Sequence, residues 1–77
     1  MSISIRFFAS LADSLGAREA TVEFRPGMAA LDAWRAATAR AELPGRVLVA
    51  INREYADPSA VLRDGDEVGF FPPVTGG

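Results

Sequence analysis

The chain has 77 residues and a mass of 8.2 kDa, enough to close around one hydrophobic core and too few for a second catalytic domain. Apolar residues make up 49% and charged residues 23%, the balance of a folded domain rather than of a disordered tail. Eight basic against ten acidic residues leave a net charge of −2, which argues against a nucleic-acid partner and against a polybasic membrane surface.

The side-chain inventory is as informative for what it lacks. There is no Cys and no His, so thiolate chemistry and the commonest general base and metal ligand are missing from the chain. All eight basic residues are Arg, so no lysine amine is available for Schiff-base chemistry or for isopeptide attachment to the chain itself. Met1-Ser2-Ile3-Ser4-Ile5-Arg6 alternates and lacks the apolar run of a signal peptide. Charged residues interrupt every apolar stretch, and a cytoplasmic location is the default expectation.

In chain order, residues 2–9 alternate with Ile3, Ile5 and Phe7 on one face and Ser4, Arg6 and Phe8 on the other, which predicts a half-buried strand. Ser10 is placed to cap a short helix through Leu11, Ala12 and Leu15 that Gly16 ends. Glu19 to Phe24 alternates again, with Ala20, Val22 and Phe24 inward, before Arg25-Pro26-Gly27 breaks the strand. From Met28 to about Arg40 the chain is Ala-rich, with Leu31, Trp34 and Ala37 at helical spacing, and this predicts the one main helix. Helical spacing also makes Trp34 a core residue rather than a recognition aromatic. After Pro44-Gly45, the run Arg46 to Asn52 reads as a strand with Val47, Val49 and Ile51 on one face. Turn signals at Asn52, Asp57-Pro58-Ser59 and Arg63-Asp64-Gly65-Asp66 leave Glu67 to Phe71 as the last strand. This order predicts an α+β domain, a mixed sheet packed on one main helix, and the ubiquitin-like β-grasp is the arrangement of this size that fits it.

Three features are candidates for function. Asp64, Asp66 and Glu67 crowd three carboxylates into four positions. They are too few and too close for a calcium loop and read as turn chemistry, with an electrostatic contact to a basic partner as their secondary role. Strand parity sends Phe8 and Phe71 away from the core, where Tyr55 from the neighbouring segment can join them in an exposed apolar patch suited to a protein partner. The chain then closes on Phe70-Phe71-Pro72-Pro73-Val74-Thr75-Gly76-Gly77. Successive prolines stop a strand and stiffen the chain as it leaves the sheet, whereas Gly76 and Gly77 carry no side chain and can enter a channel too narrow for a Cβ. A terminal carboxylate becomes reactive only when a leaving group is supplied, for instance by adenylation with ATP. A sulfur donor can then displace AMP and leave a thiocarboxylate. None of these steps needs His, Cys or Lys in this chain.

The run from Leu62 to Gly77, with support from Ile5-Arg6-Phe7-Phe8-Ala9 and Val49-Ala50-Ile51-Asn52, resembles the small subunit of molybdopterin synthase, the MoaD-type sulfur carriers. The resemblance implies a ubiquitin-like β-grasp domain over residues 1–71 and an extended, flexible Gly-Gly tail over 72–77. It further implies that Gly77 is adenylated by a MoeB-type, E1-like enzyme and thiocarboxylated by a sulfur donor protein, and that Val74, Thr75 and Gly76 thread into the large synthase subunit. Phe8, Tyr55, Phe71, Pro72 and Pro73 are then the docking residues, Tyr55 being the one whose sequence neighbours match no family pattern. There, sulfur would be passed to cyclic pyranopterin monophosphate to make molybdopterin, within a heterotetramer. The chain is expected to bind no cofactor and no metal, ATP being used by the activating enzyme. A thiamine-type sulfur carrier shares the tail and the chemistry, although Phe-Phe-Pro-Pro favours the molybdopterin type. Two other readings are a ubiquitin-like modifier joined to target lysines through Gly77, and a plain binding module with an inert tail.

Overall fold

A computed structural model describes residues 1–72. The expected threading residues, Val74 to Gly76, lie outside the described residues, as do Pro73 and Gly77. Five strands and two helices occur in the order β1 (Ser2–Phe7), α1 (Ala9–Leu15), β2 (Glu19–Glu23), α2 (Ala30–Thr38), β3 (Leu48–Ile51), β4 (Glu54–Ala56) and β5 (Glu67–Phe71). They form one mixed sheet ordered β2-β1-β5-β3-β4. The central pair, β1 and β5, is parallel, and the other neighbours are antiparallel. This is the β-grasp arrangement expected from the order of elements.

Alternation decides which face is covered. Ile3, Ile5 and Phe7 of β1, Val49 of β3 and Val68 and Phe70 of β5 are all buried on the helix side, where Ala30, Ala33 and Trp34 of α2 meet them. Trp34 is fully buried, with its ring 5.2 Å from that of Phe70 and 6.0 Å from that of Phe7. Its indole N–H donates to the Glu42 carbonyl at 3.1 Å, satisfying the one polar atom that the core would otherwise strand.

The helix ends differ from the sequence expectation for local reasons. Ser10 is not the cap of α1. The extended residue Phe8 occupies that position, Ala9 turns the chain at φ 52°, and Gly16 ends the helix at φ 71° as expected. α2 begins at Ala30 rather than Met28, because residues 58–62 run alongside its start: the Leu31 and Ala30 amides donate to the Pro58 and Ala60 carbonyls, and the Leu62 amide donates back to Met28. Asp32 completes that end by accepting from the Ala29 amide at 2.8 Å.

At the other end of α2, Ala39 lies at φ 59°, a left-handed position where a Cβ costs energy and glycine does not. Ala39→Gly should therefore stabilise the fold by about 0.5–1 kcal/mol, read as a raised denaturant midpoint at unchanged slope.

β4 is a strand that the sequence pattern does not announce. It is three residues long and comes after a two-residue turn, Asn52-Arg53, whose φ values of 51° and 72° are left-handed without a glycine. Such turns match the twist of a hairpin, but Asn-Arg is not the dipeptide that signals one.

Candidate functional site

The face of the sheet opposite α2 carries the candidate site. Phe8 continues β1 by one residue, its amide donating to the Phe70 carbonyl at 3.0 Å. Parity points its ring to the open side, 43% exposed. Phe71, from the end of β5, lies edge-on to it at 5.6 Å between ring centroids. Tyr55 of β4, 74% exposed, lies 5.7 Å from Phe71 on the other side. Phe8 and Phe71, expected on this face from parity, and Tyr55, expected to join them from a neighbouring segment, therefore form one row, Phe8, Phe71, Tyr55.

The row rests on residues that the sequence pattern does not single out. Gly69 pairs with Arg6 of β1 and Ala50 of β3, and a Cβ built on it would stand 3.1 Å from Cε2 of Phe8 and 3.5 Å from Cε1 of Phe71. Its missing side chain is what lets the two rings close over the backbone; a branched residue there would wedge them apart. Leu48, opposite Phe71, and Ala50, opposite Tyr55, complete the apolar surface. The alternation that turns Val47, Val49 and Ile51 inward also turns these two outward, and that is the signal available for them.

Charges border the patch. Arg6 and Glu67 make an exposed ion pair at 3.7 Å, worth at most about 1 kcal/mol. Of the three crowded carboxylates, Asp66 accepts hydrogen bonds from the Asn52 side chain at 2.8 Å and from the Arg63 amide at 2.7 Å, Glu67 holds Arg6, and Asp64 is exposed. Asp57 is kept below the usual carboxylate range by hydrogen bonds from the Ser59 amide and hydroxyl, at 2.9 and 2.7 Å. A lowered pKa makes it a weaker base, and its role is to hold the turn at Pro58. Among the described residues no cluster of three or more His, Cys, Asp or Glu could hold a metal ion, and no helix is long and apolar enough to cross a membrane.

The open face thus brings together an aromatic row, a bordering ion pair, and the end of the last strand at Phe71.

The model of the ThiS family matches residues 5–77. The molybdopterin synthase sulfur carrier subunit of Escherichia coli (strain K12) is 41% identical, over 97% of this chain and 99% of its own length. Among solved structures, SAMP1 from Haloferax volcanii superposes with a TM-score of 0.82 at 30% identity, each chain covered completely. A chain of the complex of subunits 1 and 2 of molybdopterin-converting factor from Helicobacter pylori 26695 matches with a TM-score of 0.64 at 26% identity, again over all of both chains. With the family matched from β1 to the last residue and a near-full-length relative at this identity, the chain belongs to the ThiS family, among the molybdopterin synthase sulfur carrier subunits.

Proposed function

We propose that this chain is the sulfur-carrier subunit of a molybdopterin synthase, delivering sulfur from its C-terminal Gly77 to the pterin precursor. The observation that carries this reading is the near-full-length likeness to a sulfur carrier subunit, reached independently of the open aromatic row at the end of β5. The complex of subunits 1 and 2 of the Helicobacter pylori factor supports a large subunit as the partner that covers the row.

The chemistry follows from that likeness, and no step of it needs a His, Cys or Lys of this chain. The Gly77 carboxylate attacks the α-phosphorus of ATP on a MoeB-type enzyme and releases pyrophosphate. Sulfide supplied by the sulfur donor then attacks the acyl carbon, AMP leaves, and the thiocarboxylate remains. In the synthase, Phe8, Phe71 and Tyr55 fix the carrier while Val74, Thr75 and Gly76 thread the tail. The thiocarboxylate sulfur bonds to a side-chain carbon of the precursor as an oxygen substituent leaves that carbon. Water then cleaves the acyl carbon–sulfur bond of the resulting thioester, leaving the sulfur on the pterin and returning Gly77 to a carboxylate for the next cycle. Two such rounds furnish the two sulfurs of the dithiolene. Every acid, base and metal ion required belongs to the partners, which accounts for a chain without His, Cys or Lys.

Conjugation to target lysines is the second reading, favoured by the match to SAMP1, because one activated carboxylate serves both fates. Reconstitution separates them: thiocarboxylated carrier, a large subunit and cyclic pyranopterin monophosphate should yield molybdopterin, with the carrier recovered as the free acid. Recovery of the carrier only as lysine conjugates would overturn the sulfur-carrier reading.

A further inference from the structure

The turn between β3 and β4 is held by its first residue in an unusual way. The Asn52 amide donates to the Glu67 carbonyl at 2.8 Å, which carries the β3–β5 ladder one residue past the Ile51–Val68 pair. In a regular antiparallel ladder the Glu67 amide would donate back to the backbone carbonyl of the same residue. At φ 51° the chain is already turning, and the Asn52 side-chain oxygen accepts from the Glu67 amide instead, at 3.0 Å. The other end of that side chain donates to Asp66 at 2.8 Å, and the second oxygen of Asp66 accepts from the Arg63 amide at 2.7 Å. Asp66 is tied in turn to the sheet centre, since its carbonyl accepts from the Ser4 amide at 3.1 Å. One continuous network thus joins the hairpin turn to the start of β5 and to β1.

This matters for the open face because β4 has little else to hold it. Among the described residues it is the last strand of the sheet, with β3 as its one neighbour, and Tyr55 at its centre is 74% exposed. An exposed aromatic that must be ordered on binding costs affinity, and one ordered beforehand does not.

We propose that Asn52 and Asp66 are positioning residues of the docking face: their hydrogen bond locks the two-residue turn so that Tyr55 stands against Phe71 before a partner arrives. The order of the row in the free chain is independent of the proposed sulfur-carrier function; only the identity of the partner that reads it rests on that function.

The test is an exchange of the two groups. Asn52→Asp places a carboxylate against Asp66 where a hydrogen bond stood, and Asp is tolerated at a left-handed φ. In the double variant N52D/D66N the amide at 66 donates to the carboxylate at 52, whose second oxygen still accepts from Glu67, while Arg63 keeps its acceptor. The chain has one Tyr and one Trp, so near-UV circular dichroism bands of Tyr55 report the row and those of Trp34 report the core; ring-to-ring nuclear Overhauser contacts between Tyr55 and Phe71 complete the readout. N52D should lose the Tyr55 signature and ring contacts, keep the Trp34 bands, and bind the large subunit about tenfold more weakly. It should weaken binding no further in a Tyr55→Ala background, and the exchanged pair should restore all three readouts. Should N52D disturb the Trp34 bands as well, Asn52→Gly, which keeps the left-handed turn without the side chain, takes its place. Unchanged Tyr55 contacts in these variants, a weakening that adds to that of Tyr55→Ala, or no restoration by the exchanged pair would overturn the proposal. If the parent chain binds no large subunit while the Tyr55 contacts are lost in N52D and restored by the exchange, the positioning role stands and the proposed function is what fails.

Discussion

A chain shortened to end at Thr75 is expected to accept no sulfur while folding as the parent does. The sheet, both helices and the aromatic row are built from residues 1–72, so removing Gly76 and Gly77 leaves them in place. The truncated chain still ends in a carboxylate. That carboxylate falls about 7 Å short of the position the parent reaches, and it is carried by a residue with a β-branched side chain. Displacements far smaller than this cost roughly a hundredfold in rate, so adenylation and thiocarboxylation should fall below detection, while large-subunit binding through Phe8, Phe71 and Tyr55 persists in part. The check pairs pyrophosphate release and tail mass with a thermal melt. A truncated chain that is loaded with sulfur at the parent rate would remove Gly77 from the mechanism.

The largest expected effect on stability is at Phe70. Its ring is fully buried, stacks on Phe7 at 6.0 Å and meets Trp34 edge-on at 5.2 Å, so it joins the two central strands to the main helix. Phe70→Ala removes these contacts and leaves a cavity where three elements meet, at a cost of about 3–5 kcal/mol. A domain of this length is held by roughly 4–12 kcal/mol in total. The melting temperature should fall by more than about 12 °C, and the Trp34 near-UV signal should weaken with it. The adjacent Phe71→Ala, made on the open face, should cost far less stability and fall mainly on partner affinity. Equal destabilisation by the two variants would contradict the assignment of faces.

How far the fold could be read from sequence depended on how locally each element is specified. β1 and β5 were legible because strict alternation assigns Ile3, Ile5, Phe7, Val68 and Phe70 to one face and thereby Phe8 and Phe71 to the other. Trp34 was legible as core from its spacing alone. β4 was not, since Glu54-Tyr55-Ala56 is too short to show a period and its turn lacks glycine. Ser10 was misleading as a helix cap because a positive φ at Ala9 starts α1 earlier than propensity suggests. The part of the site hardest to see was the support beneath it. Gly69 has meaning only once Phe8 is brought across from β1, and Asn52 meets Asp66 across 14 positions of sequence. Pairings of that kind are set by sheet topology, which a local pattern does not encode.

Whether Gly77 carries sulfur is decided by intact mass after incubation with a MoeB-type enzyme, ATP and sulfide, together with fragmentation of the tail. Fragmentation is essential because oxidation of Met1 or Met28 adds nearly the same mass as replacing oxygen with sulfur, whereas residues 70–77 contain no Met. A single oxygen-to-sulfur shift confined to that fragment and dependent on ATP is expected. A tail that remains a carboxylate after AMP has been released, or one that is never adenylated, would contradict it.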